Sequence, residues 1–187
     1  MIARVHRRLG LPVVTVVALV ALVSPVSAPA QAATRAVVYG GRISSATVMR
    51  RAADWLRRDI PYSQDNRNAR WDLGRGRHYR PDCSGFVSMA WALETRRLGR
   101  ALVTWELPSV STRIGWNRLR AGDILLRLVP GNRARGHVVL FQAWVDASRT
   151  RFWIIEQSGL RFGMRRKTVT VAGVRNAFHP YRYRRIY

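Results

Sequence analysis

Apolar positions along this chain recur at helical spacing in its first half and at strand spacing in its second. Val48, Ala52, Trp55 and Leu56 fall three or four residues apart with arginines between them, which predicts a helix from Ser44 or Ser45 to about Asp59. Either serine supplies an N-cap oxygen, the arginines are expected on the solvent face, and Pro61 bars continuation. Phe86, Val87, Ala90 and Leu93, with Trp91 alongside, predict a second helix over residues 84–97 that Gly99 stops. From Ile124 onward the pattern changes. Residues 124–129, 137–145, 151–156 and 167–171 are β-rich and separated by turn residues such as Pro130-Gly131-Asn132 and Asp146-Ala147-Ser148. Helices followed by strands imply an α+β domain in which N-terminal helices pack on an antiparallel β-sheet. Between the helices, residues 62–81 are polar and contain Trp71, Gly74 and Gly76, which reads as a long loop of the kind that is often functional. Residues 100–120 hold turns and one short helix.

The N-terminus has a pattern of its own. Arg4, Arg7 and Arg8 precede a stretch, 9–23, that is apolar apart from Thr15. Small residues follow, ending in Ala30-Gln31-Ala32. A basic head, a short apolar run and an Ala-x-Ala site predict an export signal over residues 1–33. An uncleaved anchor is the alternative, but the apolar run is shorter than the ~20 residues a spanning helix needs, and Pro12 interrupts it. Residues 34–43 then read as a short tether, and 44–187 as one domain, large enough to bury a core without disulfides.

Charge narrows the partners. The chain carries 33 basic and 10 acidic side chains for a formal charge of +23, and Lys167 is its only lysine. Such an excess concentrates polyanions. Nucleic acid is one polyanion that fits, but an exported protein first meets the anionic polymers of a cell envelope, so those are the expected partners and nucleic acid is not. The arginine-for-lysine bias is equally what a GC-rich genome would produce.

Cys83 is the only cysteine, so no intramolecular disulfide is possible. It sits in Asp82-Cys83-Ser84-Gly85-Phe86, at the predicted start of the second helix, and a helix N-terminus favours the thiolate. A small buried apolar residue is the alternative. His137 opens the strand Gly136-His137-Val138-Val139-Leu140-Phe141; a histidine at a sheet end can face a helix N-terminus and take a thiol proton, or it can be satisfied by backbone within the strand. Ile154-Ile155-Glu156-Gln157-Ser158-Gly159 ends a neighbouring strand. Glu156 can accept the second imidazole N–H, and strand pleating allows only one of Glu156 and Gln157 to do so. Glu156 can also be a strand-end carboxylate paired with an arginine. Asp82 suits a helix cap and Asp123 a turn into a strand, while His78 and His179 are competing bases without imposed geometry.

Asp82-Cys83-Ser84-Gly85-Phe86-Val87, then Leu119-Arg120-Ala121-Gly122-Asp123-Ile124, then Gly136-His137-Val138-Val139-Leu140 resemble, in that order, the NlpC/P60 cysteine peptidases. The resemblance spans residues 44–187. It implies a papain-like α+β core and a cell-wall hydrolase, with Cys83 as nucleophile, His137 as base and Glu156 in the third polar position. Pro61-Tyr62 resembles the Pro-Tyr that family carries ahead of the cysteine, which places Tyr62 near the thiol as a substrate or oxyanion contact. Ser84, next to the cysteine, is the other oxyanion candidate, through the start of the helix. The chain departs from the family where Ser63-Gln64-Asp65-Asn66 replaces a Trp-Gly-Gly-like segment and where glutamate replaces the commoner third histidine. Residues 100–116 match no motif.

The expectation is therefore a secreted, envelope-associated cysteine peptidase or amidase that hydrolyses an amide bond in peptidoglycan peptides through a thioester. It needs no cofactor or metal, because the histidines and the cysteine show no ligand spacing. A non-catalytic basic envelope-binding protein on the same fold and a Cys–His acyl or amide transferase are the alternatives.

Overall fold

The computed structural model describes residues 37–187, so the predicted export signal lies outside the described residues. Of the predicted tether, residues 37–43 lie against the body. Gly40 N–H bonds to Ala92 O, and Ile43, 3% exposed, bridges to Ile186.

Helix α1 (Ser45–Arg57) starts where Ser44 Oγ accepts the Thr47 N–H. Its buried stripe contains Val48, Ala52 and Trp55, as the spacing predicts. Arg51 departs from the prediction. It is 1% exposed, on the core side, with Nε on Met89 O and one terminal nitrogen 2.8 Å from Asp72 Oδ2. Helical spacing alone could not distinguish it from the outer arginines, because its acceptors come from distant segments. The helix ends at Arg57, with Asp59 at φ +44 ahead of Pro61.

Asp72 also organises the segment predicted as a loop. Strands β1 (Arg70–Trp71) and β2 (His78–Tyr79) form a short antiparallel hairpin. The Asp72 carboxylate accepts the Gly76 and Arg77 N–H groups, the Tyr39 hydroxyl and Arg51. One buried carboxylate thus ties hairpin, α1 and residue 39 together, where the sequence pattern reads as a long polar loop.

Helix α2 (Cys83–Ala90) is shorter than predicted. Ala92 takes φ +53, its N–H bonds to Met89 O, and Leu93 N–H bonds to Ser88 O. This is the Schellman ending, with alanine where glycine is usual, so no glycine in the sequence marked it. Gly99 is not the stop. At the other end the Asp82 carboxylate accepts the Gly85 N–H at 2.7 Å and is held by Arg80 Nε, also at 2.7 Å. Gly85 is required here, since a Cβ would lie 1.8 Å from the Arg80 carbonyl oxygen. Gly85→Ala is therefore expected to push residues 80–82 away from the helix and to cost about 1–3 kcal/mol, measured by urea unfolding. A loss below 0.5 kcal/mol, within the range of a neutral surface change, would contradict this close approach.

The main sheet has six antiparallel strands. β3 (Ser111–Arg113), β4 (Ile124–Arg127), β5 (His137–Trp144), β6 (Arg151–Gln157), β7 (Met164–Thr170) and β8 (His179–Tyr183) lie in the order β3-β8-β4-β5-β6-β7. β4 to β7 are the predicted strands with shifted ends. β3 and β8 were not predicted. The segment around His179, where the sequence imposed no geometry on the histidine, is an interior strand between β3 and β4, and Tyr183 stacks on Trp91 of the helix layer. Alternation along the strands divides two cores. Ile124, Leu126, Val138, Leu140 and Ile155 face α1 and α2. Leu125, Val139, Phe141, Phe152 and Ile154 face the other side, covered by Trp116, Phe178 and the short helix α3 (Val171–Val174). The fold is α+β with few helices, as the order of patterns implies.

Candidate active site

Strand register brings the polar candidates together. Leu140 pairs with Ile155, so Glu156 lies beside Val139 and diagonal to His137 on the same face. Glu156 pairs with Arg165 across the next ladder, and Ile154 with Lys167, so Lys167 is also diagonal to Glu156 on that face. The contacts follow. His137 Nε2 lies 2.7 Å from Glu156 Oε2, while Arg165 Nε and Lys167 Nζ lie 2.8 and 2.9 Å from Oε1. The side chain of Glu156 is only 3% exposed, a burial that an unpaired carboxylate would not tolerate. Gln157, on the opposite face, instead donates its Nε2 to Ile60 O. Of the two polar residues ending β6, Glu156 is the one that meets the histidine.

With Nε2 committed to Glu156, Nδ1 is the nitrogen left for a second partner, and Cys83 lines the same cleft. The thiol also contacts the Thr104 hydroxyl at 3.6 Å. Burial alone would lower the His137 pKa; the thiol and the Glu156 carboxylate outweigh it and raise the value to about 9. Burial would conversely raise Glu156, but His137 and Lys167 bring it down to about 2. Both shifts favour an imidazolium on a carboxylate at neutral pH, in the cleft that Cys83 also lines.

The signs of these shifts define a pH window. His137 contributes stability that is complete below its ordinary 6.5 and is lost as pH rises through about 9. Glu156 contributes stability that is present above its ordinary 4.5 and is lost as pH falls through about 2. Glu156→Gln should remove the acid-side loss and shift the His137 titration, followed by NMR, to lower pH, because the imidazolium loses its counter-charge. An unchanged His137 midpoint would show that the carboxylate does not control the ring.

Cys83 is the first residue of α2, and helix geometry leaves the N–H groups of Cys83 and Ser84 without intrahelical acceptors. The Ser84 side chain is buried and turns to Asp82 Oδ1 at 3.2 Å, so only its backbone can serve an oxyanion. Tyr62 lines the same cleft. Burial, with Cys83 and Asp82 nearby, holds its phenol protonated above the usual range despite the opposing Gln64 bond. Its oxygen accepts from Gln64 Nε2 at 2.7 Å, which leaves the phenolic proton free to donate.

The cleft around these groups has a volume of about 870 Å³. Thr104, Trp105, Arg165 and Lys167 line it, and none of them was a sequence-level candidate. The first two lie in the stretch without a motif. The last two sit two apart on β7, a spacing that puts them on one face but could not say which. Other candidates lie elsewhere. Asp123 is fully buried under Arg182, which donates to both its oxygens at 2.8 and 2.7 Å. His78 lies on the β1–β2 hairpin against Trp71, and His179 meets Arg113.

No protein-family model matches the chain. No curated protein matches it either. Among solved structures, one described as "The crystal structure of Ly7917 with the hydrolyzing product of MDP" is similar to it at 30% identity and a TM-score of 0.29, covering 38% of this chain and 29% of that one. The chain thus spans less than a third of that protein's length.

Proposed function

We propose that this protein is an exported thiol hydrolase that cleaves an amide bond in peptidoglycan peptides. The observation that carries the reading is the single cysteine at a helix N-terminus in one cleft with a histidine that a buried glutamate, itself paired with Arg165 and Lys167, holds in place. The ordered motifs resembling NlpC/P60 peptidases supply the substrate class, and the apolar N-terminal leader supplies the compartment.

In this mechanism the Cys83 thiolate attacks the amide carbonyl carbon and forms a C–S bond. The developing oxyanion is met by the Cys83 and Ser84 N–H groups and by the Tyr62 hydroxyl. His137 gives its Nδ1 proton to the departing amine as the C–N bond breaks. The neutral ring then takes a proton from water, whose oxygen attacks the thioester, and the thiolate leaves with the acid as product. Glu156 keeps the ring oriented and balances its charge in both steps.

The test is mass spectrometry of purified envelope fragments after incubation with the mature protein. New amine and carboxyl termini support hydrolysis. Cross-links that conserve mass would replace it with transfer, and unchanged fragments with a non-catalytic binder.

A further inference from the structure

A second groove, about 520 Å³, opens beside the catalytic cleft and shares Arg80 with it. It is framed by residues 66–80 and 95–101, so it belongs to the segment whose length and polarity set it apart in the sequence. Trp71 lines it and is 41% exposed, which is unusual for the largest side chain of a protein. Its ring lies against His78, its cross-strand partner, so one face is covered and the other is open.

The platform is anchored through its backbone. Trp71 O accepts from Trp55 Nε1 and from Arg58, each at 3.0 Å, and the next residue is the buried Asp72. An exposed aromatic on an anchored hairpin loses little freedom when a ligand covers it.

The charged side chains that line it are all basic. Residues 65–100 hold eight arginines and four carboxylates, and among the described residues no acidic side chain lines the groove. Glu94 and Glu106 hold Arg77 and Arg100. Arg96 donates only its backbone N–H to Glu94, and among the described residues its guanidinium has no carboxylate partner. Arginine forks pair with carboxylates in a bidentate geometry. Asn66 and Thr95 add neutral hydrogen-bonding groups. One open aromatic face with amide, hydroxyl and guanidinium groups matches a sugar ring that carries a carboxylate. A nucleic-acid strand would call for a succession of aromatic platforms along a basic track, and this groove has one.

We infer that this groove is a binding site for an acidic saccharide, with Trp71 as the ring platform and Arg96 as the carboxylate contact. Binding there requires no thiol chemistry, so it stands or falls separately from the proposed hydrolysis.

The test is calorimetric titration of the full chain with a peptide-free murein tetrasaccharide bearing free lactyl carboxylates, with neutral chitotetraose and with a hexathymidylate. The acidic tetrasaccharide is expected to bind, and chitotetraose to bind on the order of tenfold more weakly, as loss of one charge-assisted contact implies. Trp71→Ala and Arg96→Ala should each weaken binding by about tenfold, and Trp71→Phe should restore part of it. Circular dichroism and unfolding midpoints of all three variants should match the wild type, which shows that they fold. Equal affinity of the variants and wild type would overturn the site, equal binding of chitotetraose would overturn its acidic specificity, and tighter binding of the hexathymidylate would replace the saccharide with nucleic acid.

Discussion

Cys83→Ala is expected to reduce release of new termini from envelope fragments by about 10⁴-fold or more, because removing the nucleophile of a covalent mechanism leaves only binding and oxyanion contacts to act. His137→Ala should cost a similar amount, since in the proposed mechanism nucleophile and base operate as one unit and their losses do not add. The fold should survive Cys83→Ala. Cys83 is partly exposed at the start of its helix, and the cap that holds α2 belongs to Asp82. Circular dichroism and unfolding midpoints of Cys83→Ala should therefore match the wild type. Full turnover by a folded Cys83→Ala protein would eliminate the thioester mechanism.

The largest effect on stability is expected at Arg51. Its pair with Asp72 is nearly sealed, with side chains 2% and 0% exposed. Arg51→Ala leaves a buried carboxylate without its cation, a change that typically costs ~3–5 kcal/mol. That is a large fraction of the ~5–15 kcal/mol available to a domain of this kind. The Asp72 carboxylate also gathers the hairpin N–H groups and Tyr39, so the groove beside the hairpin should loosen with it. Arg57→Ala is the matched control. Its side chain is 72% exposed in its pair with Asp54, and its loss should change stability by less than ~1 kcal/mol. Equal unfolding midpoints for Arg51→Ala and Arg57→Ala would refute the special role of the buried pair.

Much of this molecule follows from short-range pattern. The 3.6-residue spacing of Val48, Ala52 and Trp55 set α1, and the Ser44-Ser45 pair its start to within one residue. Strands β4 to β7 were visible as β-rich runs between turn residues. Asp82 and Gly85 stand one and two residues from Cys83, near enough for local chemistry to mark a capped helix start. His137 and Glu156 were legible as polar residues at the ends of apolar strands.

Other features depended on long-range partners. Arg51 looked like any outward arginine until Asp72, 21 residues away, took its charge. The ending of α2 relied on Ala92 in a conformation that sequence assigns to glycine. The 179–183 segment became a strand because β3 and β4 offered it two open edges. The choice of Glu156 over Gln157, and the arrival of Arg165 and Lys167 on the same carboxylate, were decided by register. A one-residue slip between strands exchanges the two faces of a sheet. Sequence alone determined which chemical groups this protein possesses and which strand ends carry them; tertiary pairing decided which of those groups touch, because strand register and buried-charge pairing are set by residues far apart in the chain.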